Sequence, residues 1–261
     1  MSSSLERKNN AEMHEKDREG DGMTGYSLDP SEKSTYVRRM FNGISGHYDF
    51  LNHFLSAGID RYWRKRAIRI SGLRPANSFL DIACGTGDLS IEAAKFNPSR
   101  IVSVDFAENM IRTFDAKKSR MRLDGKVEIV QADAELLPFP DNTFDVTAVA
   151  FGVRNFGSLE KGIAEMQRVL KSGGKLVVLE FSKPKVFPVK QIYFFYFKRI
   201  LPLLGRIISK DPAAYSYLPN SVSAFPDGRD FENVMRNAHF KDVRSIPLTY
   251  GIATAYFGVK S

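Results

Sequence analysis

The segment SFLDIACGTGD, residues 78 to 88, constrains this chain more than any other stretch. A β-type apolar run (Phe79, Leu80, Ile82) stops at Gly85-Thr86-Gly87, and a helical pattern begins at Asp88. A strand, a tight glycine turn and a helix start form the local architecture that holds a nucleotide-like ligand at a strand's carboxyl end. Eighteen residues after Gly87, Asp105 closes a second apolar run that begins at Ile101. A carboxylate there is placed to accept two hydrogen bonds from a ribose diol. Together these features point to an adenosine-type cofactor.

The turn alone does not choose the cofactor. Glycines reach positive φ at no steric cost and let backbone approach a ligand closely. The dinucleotide fingerprint needs a third glycine, and Ser90 stands there. Asp88 would also place negative charge where a pyrophosphate sits at a helix N-terminus. That suits a cationic ligand such as S-adenosylmethionine better than a dinucleotide. A nicotinamide oxidoreductase would require pyrophosphate space at Asp88. The plainer alternative is an ordinary β-turn-α junction capped by Asp88.

The 261 residues suit one α/β domain with an accessory element, or two small domains. A lone cysteine, Cys84, excludes an internal disulfide, and four scattered histidines show no metal-ligand spacing. With no apolar signal region and no apolar run of about 20 residues, a cytoplasmic location is expected. Charge is unevenly spread: residues 1–33 carry 5 Lys/Arg against 8 Asp/Glu, and almost nothing apolar. They read as a disordered acidic tail. Residues 183–210 hold seven Lys/Arg and no acid.

From Tyr36 to about Gly72 the pattern is helical, with Phe41, Phe54 and Trp63 expected in a core. Strands are then expected at 78–83, 100–105, 126–130, 143–150 and 174–180. Helices at 88–96, 108–119 and 158–171 separate them, an alternation that argues for a parallel sheet covered on both faces. Residues 184–225 interrupt it with aromatic and basic side chains. A helix at 229–238 precedes strand-like runs at 240–249 and 252–259, and their short link at Tyr250-Gly251 makes them antiparallel.

From about Tyr36 onward the chain resembles the C-methyltransferases of menaquinone and ubiquinone biosynthesis. The matching blocks are YDFLNHFLSAGIDRYW (48–63), QADAELLPFPDNTFD (131–145), FGVRN (151–155), RVLKSGGKLVVLEFS (168–182) and YSYLPNSVSAFPD (215–227). Departures are small: Leu51 replaces the usual Met, Asp60 the usual His, Ser172 the usual Pro, and Asp133 a frequent Asn. Asp60 weakens any mechanism with a histidine base there. The resemblance implies a class I, Rossmann-like S-adenosylmethionine-dependent methyltransferase, an α/β fold with a mostly parallel seven-stranded sheet and a C-terminal antiparallel hairpin. It places a methyltransferase domain at 34–261, with a helical cap at 36–72 and a lid insertion at 184–225.

On this resemblance Gly85, Thr86 and Gly87 approach the methionine part of the cofactor and Asp105 takes the ribose. Asp133 and Ala134 resemble the adenine-contacting pair. Arg154 and Asn155 would orient a quinol oxygen and stabilise charge developing on the ring, because in-line attack on a methyl group depends on alignment. For Arg154 the plain alternative is an ion pair with a surface carboxylate. Tyr48 belongs either to the active site or to a core.

The substrate implied is a polyprenyl naphthoquinol, demethylmenaquinol, with a polyprenyl benzoquinol of the ubiquinone pathway as the alternative. Residues 186–204 are rich in aromatics and flanked by lysines. They are too short to span a bilayer, and an interfacial segment or tunnel wall fits. Peripheral contact with the inner face of the cell membrane is expected, with Lys190, Lys198, Arg199 and Arg206 towards headgroups. A non-catalytic lipid-binding protein would keep this patch without needing Asp105 and the glycine turn together. No nucleic-acid-binding motif surrounds it. Oligomeric state stays open, a homodimer included.

Overall fold

The computed structural model describes residues 29–44, 56, 58–196, 199 and 212–261. Outside them lie the acidic tail up to residue 28, Tyr48, Phe54, Lys198 and Arg206. The described elements begin with α1 (Pro30–Ile44) and α2 (Ile59–Ser71), and β1 (Ser78–Ile82), α3 (Asp88–Ala94), β2 (Arg100–Asp105), α4 (Glu108–Arg120) and β3 (Val127–Gln131) follow. After β4 (Phe144–Ala150) come α5 (Leu159–Val169), β5 (Leu170–Phe181), α6 (Val189–Phe195) and α7 (Pro212–Ala224). The chain closes with α8 (Arg229–Asn237), β6 (Phe240–Leu248) and β7 (Ala253–Lys260).

The seven strands form one sheet in the order β3-β2-β1-β4-β5-β7-β6. The first five are parallel, and β7 runs antiparallel between β5 and β6. Both faces are apolar because side chains alternate along each strand. Phe79, Val177, Leu179 and Phe257 face one layer with Trp63 of α2 and Leu89 of α3. Leu80, Ile82, Val178 and Tyr256 face the other, with Met166 of α5 and Phe231 of α8. Strand order reverses between β1 and β4, and a crevice opens at their carboxyl ends.

Three boundaries differ from expectation. The first helix starts at Pro30, inside the expected tail, because Asp29 Oδ1 accepts from the backbone N–H groups of Ser31 (2.9 Å) and Glu32 (3.0 Å). An Asp-Pro pair is an N-cap followed by a residue suited to the first helical position. The described parts of the stretch expected to form one cap take different places: α2 packs on the sheet through Trp63, Ala67 and Ile68, all buried, and α1 lies over the crevice. Strand β5 begins at Leu170, not 174, with a register shift opposite Phe144/Val146. Gly173, at φ 75, takes up the irregularity.

Candidate active site

An open cavity occupies the crevice, and Ala83, Gly85, Asp105, Asp133, Phe151 and Asn155 are among its lining residues. Its walls come from the ends of β1, β2 and β4 and from α1. Ala83 (φ 51) and Phe151 (φ 59), the residues that leave β1 and β4, are both left-handed without being glycine. Such residues cost about 1–3 kcal/mol each and persist where surrounding structure fixes them, often at functional sites. Gly152 is required between them: a Cβ there would lie 2.7 Å from the Ala83 Cβ.

Asp105, 6% exposed, ends β2. Its Oδ2 accepts from the Gly85 N–H (2.8 Å) and its Oδ1 from the Ala107 N–H (2.8 Å). The carboxylate therefore ties the glycine turn to β2 and keeps acceptor capacity for a further donor. Burial pushes its pKa up to about 6, and the backbone donors only partly offset that. The ionised carboxylate is the better acceptor for a diol. S-Adenosylmethionine should therefore bind more weakly as pH falls through about 6. In calorimetry Asp105→Asn should weaken binding and flatten this pH dependence. A wild-type affinity constant from pH 5 to 8 would detach Asp105 from the cofactor.

Asp133 and Ala134 line the cavity on the loop after β3, and Asp133 Oδ1 braces that loop by accepting from the Glu135 N–H (2.9 Å). Gly87 and Thr86 take other places. Thr86 is buried and not among the lining residues. Gly87 (φ 83) caps α3, and a Cβ on it would sit 2.0 Å from the Phe114 ring of α4. The second glycine thus admits an aromatic ring from α4. Ser90, where a dinucleotide site has glycine, is buried and hydrogen-bonded to Asp81 (2.5 Å) and Ser103 (2.7 Å), which stitches α3 to β1 and β2.

The electrostatic expectation for Asp88 is corrected. Its Oδ1 lies 2.5 Å from Lys117 Nζ and its Oδ2 3.5 Å from Arg64 Nη1, so its charge is balanced outside the cavity. Arg64 also pairs with Asp60, the residue that replaces the usual histidine. The charge preference comes from Asp105, Asp133 and Glu135, and no lysine or arginine is among the lining residues. A wall of three carboxylates disfavours a pyrophosphate and favours a sulfonium cation.

Asn155 lines the cavity, and its Oδ1 accepts from the buried Tyr217 hydroxyl of α7 at 3.0 Å. Arg154 turns away. Its Nη1 donates to Glu180 Oε1 (2.7 Å) and to the Phe151 carbonyl (2.6 Å), with Glu180 wholly buried at the end of β5. The ion-pair alternative is the geometry seen, but the partner lies in the interior. Lys33 Nζ of α1 donates to the carbonyls of Arg154 (3.2 Å) and Phe156 (2.7 Å), and burial lowers its pKa. That strap seats α1 over the site.

Sequence reasoning missed Ser34, Phe106, Met110 and Glu135 in the lining, and took Phe41 for core. Phe106 directly follows Asp105, and Glu135 lies within the block already quoted, so position alone marked both. The cavity's carboxylates and its apolar patches at Phe106, Met110 and Ala134 fit the chemistry of the ribose, adenine and cationic parts of S-adenosylmethionine.

Solved structures share the fold. A SAM-dependent methyltransferase from Thermotoga maritima aligns with TM-score 0.61 at 18% identity, over 86% of this chain and 100% of its own. One from Aquifex aeolicus aligns with TM-score 0.56 at 18% identity, over 76% and 89%. Sequence relatives are much nearer. The demethylmenaquinone methyltransferase of Bacteroides fragilis is 44% identical over 90% of this chain and 96% of its own length. The ubiquinone/menaquinone biosynthesis C-methyltransferase of Geobacter sp. strain M21 is 45% identical over 88% and 98%. With the family's sequence model matched from residue 30 to 260, the chain belongs to the ubiE/COQ5 methyltransferase family.

Proposed function

We propose that this chain methylates a ring carbon of demethylmenaquinol, forming the ring C–CH3 bond as the S–CH3 bond breaks and yielding menaquinol, S-adenosylhomocysteine and the proton the ring carbon loses. The observation that carries the reading is the 44% identity to the Bacteroides fragilis enzyme across nearly the whole of both chains. S-Adenosylmethionine, when bound, supplies an electrophilic methyl group on a sulfonium. Asp105 holds the ribose, Gly85 the methionine backbone, and Asp133 with Ala134 the adenine edge.

Asn155 is the residue we assign to the quinol oxygen. The Tyr217 hydroxyl fixes its carbonyl oxygen, so its amide is oriented with the Nδ2 donor 3.5 Å from the Phe151 carbonyl and available to the cavity. Donation to the oxygen stabilises the quinolate formed when the hydroxyl loses its proton and holds the ring so that its carbon faces the methyl group in line. Arg154 acts at one remove, as a positioning residue that clamps the Phe151 carbonyl against Glu180. Tyr48 would contribute from the segment before α2.

A polyprenyl quinol resides in a bilayer, so the enzyme must collect it there. No helix among the described residues is long and apolar enough to cross a membrane. Around α6, however, Val186, Phe187, Ile192 and Phe195 are exposed, with Lys185 and Lys190 exposed among them. That surface supports peripheral association through this segment.

The test is incubation of the purified protein with S-adenosylmethionine and a short-chain demethylmenaquinol, read by mass spectrometry for a methylated ring. Asn155→Ala should lower kcat by about 10²-fold or more with little change in cofactor affinity. Methylation of a benzoquinol alone would overturn the substrate assignment. Turnover of neither quinol would overturn the reaction.

A further inference from the structure

The outer face of α2 holds a second cluster of exposed cations, separate from the basic segment around α6. Trp63, Ala67 and Ile68 face the core, while Arg61, Lys65, Arg66 and Arg69 are exposed. None of these four is within ion-pairing distance of a carboxylate among the described residues. On the same face, Tyr62 is 56% exposed and Ile59 39% exposed. Spacing of 59, 62, 66 and 69 puts two apolar and two cationic side chains on one stripe.

The start of this helix adjoins the turn between β6 and β7, which itself adjoins the chain leading to α6. The Trp63 Nε1 donates to Thr249 Oγ1 at 2.7 Å, which fixes the start of α2 against the turn between β6 and β7. That turn is bound in its other direction to the chain entering α6: Ser182 N donates to the Ile252 carbonyl (3.0 Å) and Ser182 Oγ to the Gly251 carbonyl (2.9 Å). Ile252 packs against the small cluster formed by Tyr193 of α6 and Val222 of α7. At the tip Tyr250 is 73% exposed, and Thr249 (φ 45) and Tyr250 (φ 57) are both left-handed. A turn that projects a ring into water from strained backbone is a candidate for contact with something apolar. Because Ala253 pairs with Phe181 at the end of β5, the turn lies at the same sheet end as the cavity.

We propose that the outer face of α2 and the Tyr250 turn form, together with α6, a single docking surface for an anionic bilayer. The inference rests on the peripheral membrane reading above and extends it to a second, independent arm. Cations alone would suit any polyanion. Exposed Ile59, Tyr62 and Tyr250 between them require hydrocarbon as well as phosphate, which a lipid interface provides and a nucleic-acid backbone does not. Two arms on either side of the turn would seat the cavity end of the sheet towards the bilayer that holds the substrate.

The experiment is co-sedimentation of the full chain with vesicles of phosphatidylethanolamine and phosphatidylglycerol, against vesicles of phosphatidylcholine. Lys65→Glu combined with Arg66→Glu should reduce partition to the anionic vesicles at least about thirtyfold, since each cation lost is worth roughly fivefold in binding and the new carboxylates oppose it further. Tyr250→Ser should reduce it roughly tenfold. Affinity for S-adenosylmethionine and the unfolding midpoint should stay at wild-type values, because none of these residues lines the cavity. If the double glutamate variant does not fold, Arg66→Gln with Tyr62→Ser carries the same test.

Loss of binding in both the α2 and the Tyr250 variants supports the proposal. Wild-type partition in both, alongside loss in a Lys185→Glu, Lys190→Glu variant, overturns it and leaves the membrane reading intact. No wild-type binding to anionic vesicles overturns both together. Variants that lose binding to a duplex oligonucleotide while keeping vesicle binding would reassign the face to nucleic acid and overturn the proposal.

Discussion

Gly87→Ala is expected to destabilise the protein by about 2–5 kcal/mol and to abolish tight cofactor binding. Two separate penalties add. At φ 83 an L side chain is held in the left-handed region, at a cost of roughly 1–2 kcal/mol. The new Cβ would also meet Phe114 atoms at 2.0, 2.1 and 2.4 Å, and that ring is fully buried. Overpacking of this kind costs about 1–3 kcal/mol. The damage reaches the site because the Gly87 N–H closes the turn onto the Cys84 carbonyl at 2.9 Å, next to Gly85 and its bond to Asp105. Urea unfolding measures the stability loss. Gly87→Ala with Phe114→Leu should recover the steric part and leave the backbone part. A single variant within about 0.5 kcal/mol of wild type would show that α4 does not press on this turn.

The sheet was largely legible because a parallel strand buried on both faces must be a short apolar run. The glycine turn and the acid after β2 marked where such runs end at a ligand. The hairpin was legible for a related reason: only a tight antiparallel connection fits between two runs that close together. What sequence could not give was direction. Arg154 and Asn155 are adjacent, yet a short 3-10 turn at Val153–Asn155 sends one side chain into the interior towards Glu180 and the other to the cavity. Glu180 lies 26 residues from Arg154, and no local pattern links them. Asp88 failed as an electrostatic argument for the same reason, since its partners Arg64 and Lys117 come from helices distant in sequence. The start of α1 was legible in Asp29-Pro30 but was hidden by the acidic composition around it.

Arg154→Met is expected to cost about 3–5 kcal/mol, because it strands a buried carboxylate. Glu180 is fully buried, and burial raises its pKa while Arg154 is the cation that opposes the shift. Without the guanidinium, ionised Glu180 keeps only backbone donors such as its own Phe181 N–H at 2.8 Å. The sign with pH follows. A carboxyl whose folded pKa is raised binds its proton more tightly when folded, so its stability contribution is lost as pH rises. The variant should therefore be most destabilised above neutral pH and approach wild type in mild acid. Pairing it with Glu180→Gln removes the stranded charge and should recover much of the stability. Activity should not recover in parallel. The clamp on the Phe151 carbonyl, which Asn155 Nδ2 also approaches at 3.5 Å, would still be missing. A displacement of about 1 Å at that loop is enough to lower kcat by about 10²-fold. Arg154→Lys, which keeps charge but not the planar fork, should fall between, with kcat affected more than cofactor affinity. A double variant with restored stability and wild-type kcat would mean that the pair only holds the fold, and that Asn155 is positioned by Tyr217 alone.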